Sequence, residues 1–369
     1  MNNTTWYNLE NPETLDTPAL VVYPERVQHN IDLLIGMIDD ISRLRPHVKT
    51  HKNIAVTQLL QNAGITKFKC ATIAEAEMLA LSNAPDVLLA YQPVGAKIQR
   101  FLSLIEQYPN TQFSCLVDSL AVGQAIASAT THQPIRVYID LNVGMNRTGI
   151  MPEKAEILFQ NLQKLSGIQV KGFHVYDGNI RDLALDSRKK ACDQAFAPVE
   201  QLVYRLAQQG FSNLVIVAGG TPTFPIHAQR KDVECSPGTF VFWDKGYEMA
   251  FPEQPFLPAA LVLTKVISLP EATKICLDLG HKSVAAENEL SKRVHFLNTP
   301  NLPFVGQSEE HLVLDVPQGH SYQIGDIFYG LPIHICPTVA LYEKAFTAQQ
   351  QQITPTEWKI VARDRKINT

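Results

Sequence analysis

The chain has 369 residues, 45% hydrophobic and 18% charged, proportions of a folded globular protein rather than a disordered or fibrous one. A formal net charge of −4 argues against nucleic acid as the main partner, because counterion release on phosphate needs surplus Lys and Arg. No apolar run approaches the roughly 20 residues of a bilayer span, the opening MNNTTWYNLENPETLDTP carries no signal-peptide pattern, and six cysteines without a CxxC pair read as reduced thiols, so a cytoplasmic protein is expected, with no membrane partner.

Along the chain, Pro18–Tyr23 (PALVVY) reads as a short buried strand. A helix opens at Pro24, with Val27, Ile31, Leu34, Ile35 and Ile38 on one face. Strand-like runs then recur at His47–Thr50, Lys67–Thr72, Asp86–Ala90, Gln112–Asp118, Ile135–Leu141, Val170–Tyr176, Leu214–Ala218 and Val233–Phe240. Helical patterns separate them at Ala74–Ser82, Ala96–Gln107, Leu120–Ala129, Pro152–Leu165 and Ser187–Gln209; the seventh link, Thr223–Lys231, is short and poorly patterned. Eight strands alternating with helices predict a (β/α)8 TIM-type barrel over residues 24–250, a doubly wound open sheet being the competing fold.

Past Phe256 the character changes to short strands punctuated by turns: Ala260–Ser268, Lys274–Leu279, Arg293–Leu297, His311–Val316, Gly325–Tyr329 and Trp358–Arg363. A second, C-terminal β domain is expected over 251–369, joined by residues 1–23. Gln349–Gln352 reads as a solvated loop.

In such a barrel the active site is built from the residues at and just past the C-terminal end of each strand. That rule gathers Lys49, with His51 and Lys52 just beyond, from RPHVKTHK; Arg147 from NVGMNRTG; Tyr176-Asp-Gly-Asn179; Gly219-Gly-Thr221; and Ser236-Pro-Gly-Thr239. Two glycine-containing turns above neighbouring strands 7 and 8 suit a phosphate, because backbone N–H groups approach closely where no Cβ intervenes. A phosphate there and a lysine on strand 1 fit pyridoxal 5′-phosphate, whose aldehyde condenses with a lysine amine.

The ordered set TPALVV, RPHVKTHK, ATIAEAEMLA, NVGMNRTG, YDG, AGGTPTF, SPGTFVFWD and HICPTV resembles the D-threonine aldolase and D-serine dehydratase family, the alanine-racemase-like, fold-type III pyridoxal-phosphate enzymes. The resemblance runs from about Thr17 to beyond Val339. It implies that Lys49 is the Schiff-base lysine and that Arg147 contacts the cofactor's phenolic oxygen. Tyr176 joins the cofactor site, and Gly220, Thr221, Gly238 and Thr239 hold the phosphate. It also implies a divalent metal on His334 and Cys336. On an extended segment an i,i+2 pair points to one face, and a soft thiolate favours zinc over manganese or magnesium. A small D-amino-acid substrate and a homodimer are implied as well.

Two reactions share that arrangement: retro-aldol cleavage of a D-3-hydroxy amino acid to glycine and an aldehyde, or dehydration to a keto acid and ammonia. Aldolase-type members carry histidine after Tyr-Asp-Gly, a candidate base. Here Asn179 stands in that place and cannot take a proton, leaving His51 or a metal-bound hydroxide. Racemisation would need a tyrosine acid/base, for which Tyr322, Tyr329 and Tyr342 are available. A non-enzymatic cofactor carrier is the remaining alternative.

Overall fold

The computed structural model describes residues 6–130, 133–299 and 301–369. The chain divides into two compact units, one of Met1–Leu33, Thr50–Val56 and Thr239–Arg363, the other of Leu34–Lys49, Thr57–Gly238 and Asp364–Thr369. The elements run β1 (Ala19–Val22), α1 (Pro24–Gly36), α2 (Ile54–Asn62), β2 (Lys67–Cys70), α3 (Ile73–Leu81), β3 (Asp86–Leu89), α4 (Ala96–Gln107), β4 (Gln112–Val117) and α5 (Leu120–Ala129). They continue with β5 (Ile135–Leu141), α6 (Pro152–Leu162), β6 (Ile168–Val175), α7 (Leu185–Gln208), β7 (Val215–Ala218), α8 (Phe224–His227), β8 (Val233–Cys235) and α9 (Lys245–Ala250).

In the second unit β2 to β8 form a parallel sheet of seven strands among the described residues, each beside its neighbour in sequence. That order excludes the doubly wound alternative, in which strand order reverses part-way. Apolar runs such as Val87-Leu-Leu89 are buried throughout, as parallel strands covered on both faces require. Thr72 and Ser119 start α3 and α5 by accepting the backbone N–H of Glu75 and Val122.

The first barrel strand, expected at His47–Thr50, is a correction. Leu44 bridges Cys235 of β8 and His47 bridges Lys69 of β2, both parallel, and Val48–His51 is a turn. Arg45 N–H donates to Cys235 O at 2.9 Å, His47 N–H to Pro237 O at 2.9 Å and Val48 N–H to Lys69 O at 2.9 Å. Pro46 between them has no N–H to give, so the segment stitches both sheet edges without forming a regular ladder. Lys49 therefore stands in a turn and not at the end of a strand. Beneath it Arg45, 1% exposed, pairs with Glu234 of β8 at 2.7 Å and Asp86 of β3 at 2.5 Å, and Glu234 also takes Lys67 at 2.5 Å.

Further differences have local causes. The strand expected at Val233–Phe240 stops at Cys235, because Pro237 comes two residues later, and Thr239–Val241 is a 3-10 turn. The weak seventh link holds only the single turn α8.

The first unit carries β9 (Ala260–Glu271), β10 (Lys274–Leu277), β11 (Val294–Phe296), β12 (Phe304–Gln307), β13 (Leu312–Asp315), β14 (Ile327–Pro332), α10 (Ile335–Val339), β15 (Lys344–Gln349) and β16 (Gln352–Lys359). Strand β1 joins this sheet, antiparallel to β9 and parallel to β15. Its core gathers Leu15, Val21, Leu261, Leu263, Tyr329 and Leu331. The glutamine run read as a loop is a hairpin turn: Gln349 faces Gln352, and Gln350 and Gln351 take φ of 48° and 66°, a backbone that Asn or Gly normally fills. Strands β12, β15 and most of β16 were not expected from pattern, and the strand expected at Trp358–Arg363 ends at Lys359, with Val361–Arg363 a 3-10 turn. Among the described residues no helix is long and apolar enough to cross a membrane.

Replacing Arg45 by Ala leaves Glu234 and Asp86 without their buried cation and is expected to cost about 3–5 kcal/mol. Denaturant unfolding checks this, with the Arg45→Met, Glu234→Leu pair losing less because the charges it leaves without their partners, Asp86 and Lys67, are only partly buried.

Candidate active site

In the barrel unit the candidate residues converge on the ring of Tyr176. Lys49 Nζ lies 5.9 Å from its centre and the Arg147 guanidinium 5.2 Å, distances at which a cation is drawn to an aromatic face. Two glycines make room for the ring. A Cβ on Gly178 would sit 2.4 Å from it, and one on Gly220 would sit 3.2 Å away. The Tyr-Asp-Gly motif is thus a steric device as much as a chemical one.

The turn after β7 is held from behind. Gly219 adopts φ of 73°, open to glycine at little cost. Gly220 N–H donates to Thr223 Oγ1 at 3.4 Å, and Thr223 donates to Asp177 Oδ1 at 2.8 Å. Thr221 Oγ1 accepts Gly238 N–H at 3.1 Å, tying the turns after β7 and β8 together. Beside them Ser236 Oγ is buried with no partner among the described residues, a donor waiting for an acceptor. Lysine, aromatic ring, arginine and paired glycine turns with an unspent hydroxyl fit pyridoxal phosphate.

Asn179 is exposed, its amide against Gly144. His51, in the β-rich unit, is fully buried. Burial lowers its imidazole to about 3, so the ring stays neutral; its Nε2 has no partner among the described residues. Neither is equipped as a base at neutral pH.

His334 and Cys336 do not lie on an extended segment, a second correction. His334 precedes α10 and Cys336 is inside it, yet their side chains meet. His334 Nδ1 meets Glu287 Oε1 at 2.5 Å, which leaves Nε2 for a ligand, the arrangement metal-binding histidines use. Burial works to lower the His334 imidazole, but Cys336 and Glu287 overcome it and raise it to about 9. Thr50 Oγ1 lies 3.1 Å from Cys336 Sγ, and Thr239 Oγ1 lies 3.7 Å from it, so Thr239, expected at the phosphate, stands against the thiol. Asp244 anchors the start of α10 by accepting Ile335 N–H at 3.0 Å; burial raises its carboxyl to about 6. An imidazole, a thiol and flanking hydroxyls suit a soft divalent ion.

Several groups escaped the sequence reading. Asp140 Oδ1 takes His174 Nδ1–H at 2.7 Å, and His174 Nε2 faces Lys69 Nζ at 3.5 Å. Asp140 and His174 each sit one residue before the end of their strands, β5 and β6, short of the loops where barrel chemistry is usually sought. A lysine inside the otherwise apolar end of β2 was the available signal for Lys69. The ligand atoms of buried Asp177, Cys192 and His227 also lie within 4.8 Å of one another, a spacing consistent with a metal site. Each is already engaged: His227 Nε2 meets Asp177 Oδ2 at 2.9 Å, and Arg230 faces His227 Nδ1 at 3.2 Å. Burial, with Asp177 adding to it, pushes the Cys192 thiol up to about 12.

Comparison with known proteins agrees with this geometry. The family model "Alanine racemase, N-terminal domain" matches residues 22–245, and "Putative serine dehydratase domain" matches residues 259–348. The chain belongs to this family. It is 27% identical to a D-threonine aldolase of Arthrobacter sp over 366 residues, 95% of this chain and 93% of that one. The D-threonine aldolase structure from Filomicrobium marinum superposes with a TM-score of 0.87 at 23% identity, covering 95% of this chain and 96% of that chain. Two variants of D-threo-3-hydroxyaspartate dehydratase, a histidine-to-alanine form and a cysteine-to-alanine form free of metal, give TM-scores of 0.81 and 0.80. They are 23% and 24% identical and cover 94% of this chain and 95% and 98% of theirs.

The protein is therefore a fold-type III enzyme of the pyridoxal-phosphate lyase family that includes D-threonine aldolase and D-serine dehydratase. The non-enzymatic carrier reading falls away. Of the tyrosines a racemase would use, Tyr342 donates to Ser283 O at 2.7 Å and Tyr329 accepts Leu9 N–H at 3.2 Å, so both hydroxyls are engaged.

Gly178→Ala must push the Tyr176 ring aside. Overpacking of this kind costs about 1–3 kcal/mol, so cofactor affinity, measured by titrating visible absorption, is expected to fall roughly tenfold or more.

Proposed function

We propose that this protein cleaves D-3-hydroxy amino acids to glycine and an aldehyde, as D-threonine aldolases do. The observation that carries the reading is the match over 95% of this chain to a D-threonine aldolase, joined to the cation-lined Tyr176 ring at the barrel mouth. Pyridoxal phosphate supplies an electron sink for a bond broken at Cα. Lys49 supplies the amine that anchors it and Arg147 a cation on the Tyr176 side. The turns of Gly220, Thr221 and Gly238 would close on the phosphate where no Cβ intervenes, with Ser236 Oγ as the buried donor beside them. The N–H groups of Gly220 and Gly238 are given to Thr223 and Thr221.

His334 and Cys336 would hold the divalent ion, zinc by the softness of the thiol, a Lewis acid suited to a hydroxyl oxygen. Thr50 and Thr239 support the thiol, and Glu287 orients the imidazole. The pairing is supported by the dehydratase variants, in which a histidine and a cysteine two positions apart were replaced. A homodimer belongs to the same reading and is checked by light scattering.

Dehydration to a keto acid and ammonia is the second reading. It is favoured by Cys336 as a thiol ligand, since a metal-free dehydratase variant is one with its cysteine replaced, and by Asn179, an amide where a base would serve aldol cleavage.

Incubation with D-threonine separates the two. Glycine with acetaldehyde is the expected outcome; 2-oxobutyrate with ammonia would replace the first reading by the second. Cys336→Ser is expected to lose most bound zinc on dialysis, read by metal analysis. Retention of a full equivalent would remove the metal from this pair.

A further inference from the structure

Behind the turn that follows β7 runs a buried chain of polar groups for which the reading above has no use. The Asp177 side chain, next to Tyr176, is 3% exposed and that of His227 1%. Asp177 Oδ2 meets His227 Nε2 at 2.9 Å, and Asp177 Oδ1 accepts the Thr223 hydroxyl at 2.8 Å. The buried thiol of Cys192 donates to the same Oδ2 from 3.6 Å. On its outer side His227 Nδ1 lies 3.2 Å from Arg230 Nη1, and Arg230 also pairs with the half-exposed Asp193.

Donors and acceptors along this chain follow from its outer end. A guanidinium only donates, so His227 Nδ1 accepts, the ring proton sits on Nε2, and Nε2–H donates to Asp177. Burial works to raise the Asp177 carboxyl, but the bonds from His227 and Thr223 outweigh it and hold the group below its ordinary range, so it is ionised. An ionised carboxylate only accepts, so Thr223 gives it the hydroxyl hydrogen and keeps an oxygen lone pair for Gly220 N–H, 3.4 Å away. His227 also touches the turn itself. A Cβ on Gly219, whose φ is 73°, would stand 2.7 Å from His227 Cδ2 and 3.0 Å from Thr223 Oγ1. Imidazole and hydroxyl thus fill the space that a glycine leaves.

We propose that His227 is a positioning residue for the cofactor's phosphate: through Asp177 and Thr223 it holds the Gly219–Gly220 turn in shape before the phosphate arrives. It thereby sets how strongly the protein prefers pyridoxal phosphate to pyridoxal, which lacks only that group. The proposal rests on the reading that the turns after β7 and β8 receive the phosphate. A preshaped turn has less ordering left to do when it is filled. That gain belongs to a ligand that fills the turn, and a cofactor ring without a phosphate does not draw on it.

Cofactor-free protein is titrated with pyridoxal phosphate and, separately, with pyridoxal, following visible absorption. His227→Met removes the Nε2–H donor, and Thr223→Val removes the hydroxyl at nearly constant shape. Each is expected to weaken pyridoxal phosphate roughly tenfold or more, the usual size of a lost hydrogen bond to a charged group, while pyridoxal binding stays unchanged. His227→Gln returns an N–H toward Asp177 and is expected to recover most of the preference. Equal weakening of both ligands, no weakening of either, or no recovery by His227→Gln overturns the proposal. Thr223→Val carries the comparison if the His227 variants do not fold. Ser236→Ala tests the underlying reading by itself and is expected to lower the preference as well. If it does not, the phosphate lies elsewhere and the proposal falls with that reading; if it does and the Thr223 and His227 variants do not, the proposal alone falls.

Discussion

Closure of the parallel sheet at Leu44–Val48 is the constraint on which the barrel unit depends. A seven-stranded parallel sheet leaves two edges with unpaired backbone groups, and this segment hydrogen-bonds to both. It cannot do so as a regular strand because Pro46 interrupts the donors. Side chains compensate: Arg45 reaches Glu234 of β8 and Asp86 of β3 and also points at Phe68 O of β2. The charge-rich stretch RPHVKTHK thus divides by role, with Arg45 binding the sheet edges from below and Lys49 released into a turn above.

The second organising feature is the crowding of cations on Tyr176. Lys49, Lys69 and Arg147 all approach one ring within 6 Å of its centre, where repulsion among them would be costly without nearby anions. Asp140 and Asp177 supply those anions from the ends of β5 and β6, each fixed by a histidine, His174 and His227. The Asp177 cluster reaches further, through Thr223 to Gly220, so the network that balances charge also shapes the glycine turn.

Much of the architecture was legible because parallel strands buried on both faces are continuous apolar runs separated by amphipathic helices. Where sequence and structure part, the cause is local. His47–Thr50 looked like a strand, but its pairing is made by two bridges around a proline. Gln350 and Gln351 form a hairpin turn with a backbone glutamine rarely adopts, so residue type gave no sign of it. His334 and Cys336 were expected as a pair from the family resemblance, on an extended segment; their side chains do meet, but a helix starts between them. Lys69, Asp140 and His174 were not legible because their side chains lie on the strands themselves, whereas the barrel rule points to the loops past the strand ends.

The central claim is that barrel closure delivers Lys49 as the amine that carries the cofactor. Reduction of the pyridoxal-phosphate-loaded protein with borohydride, followed by peptide mass mapping, tests it most directly. The account predicts the pyridoxyl label on Lys49 alone. A label on Lys69, Lys52 or any other lysine would contradict it.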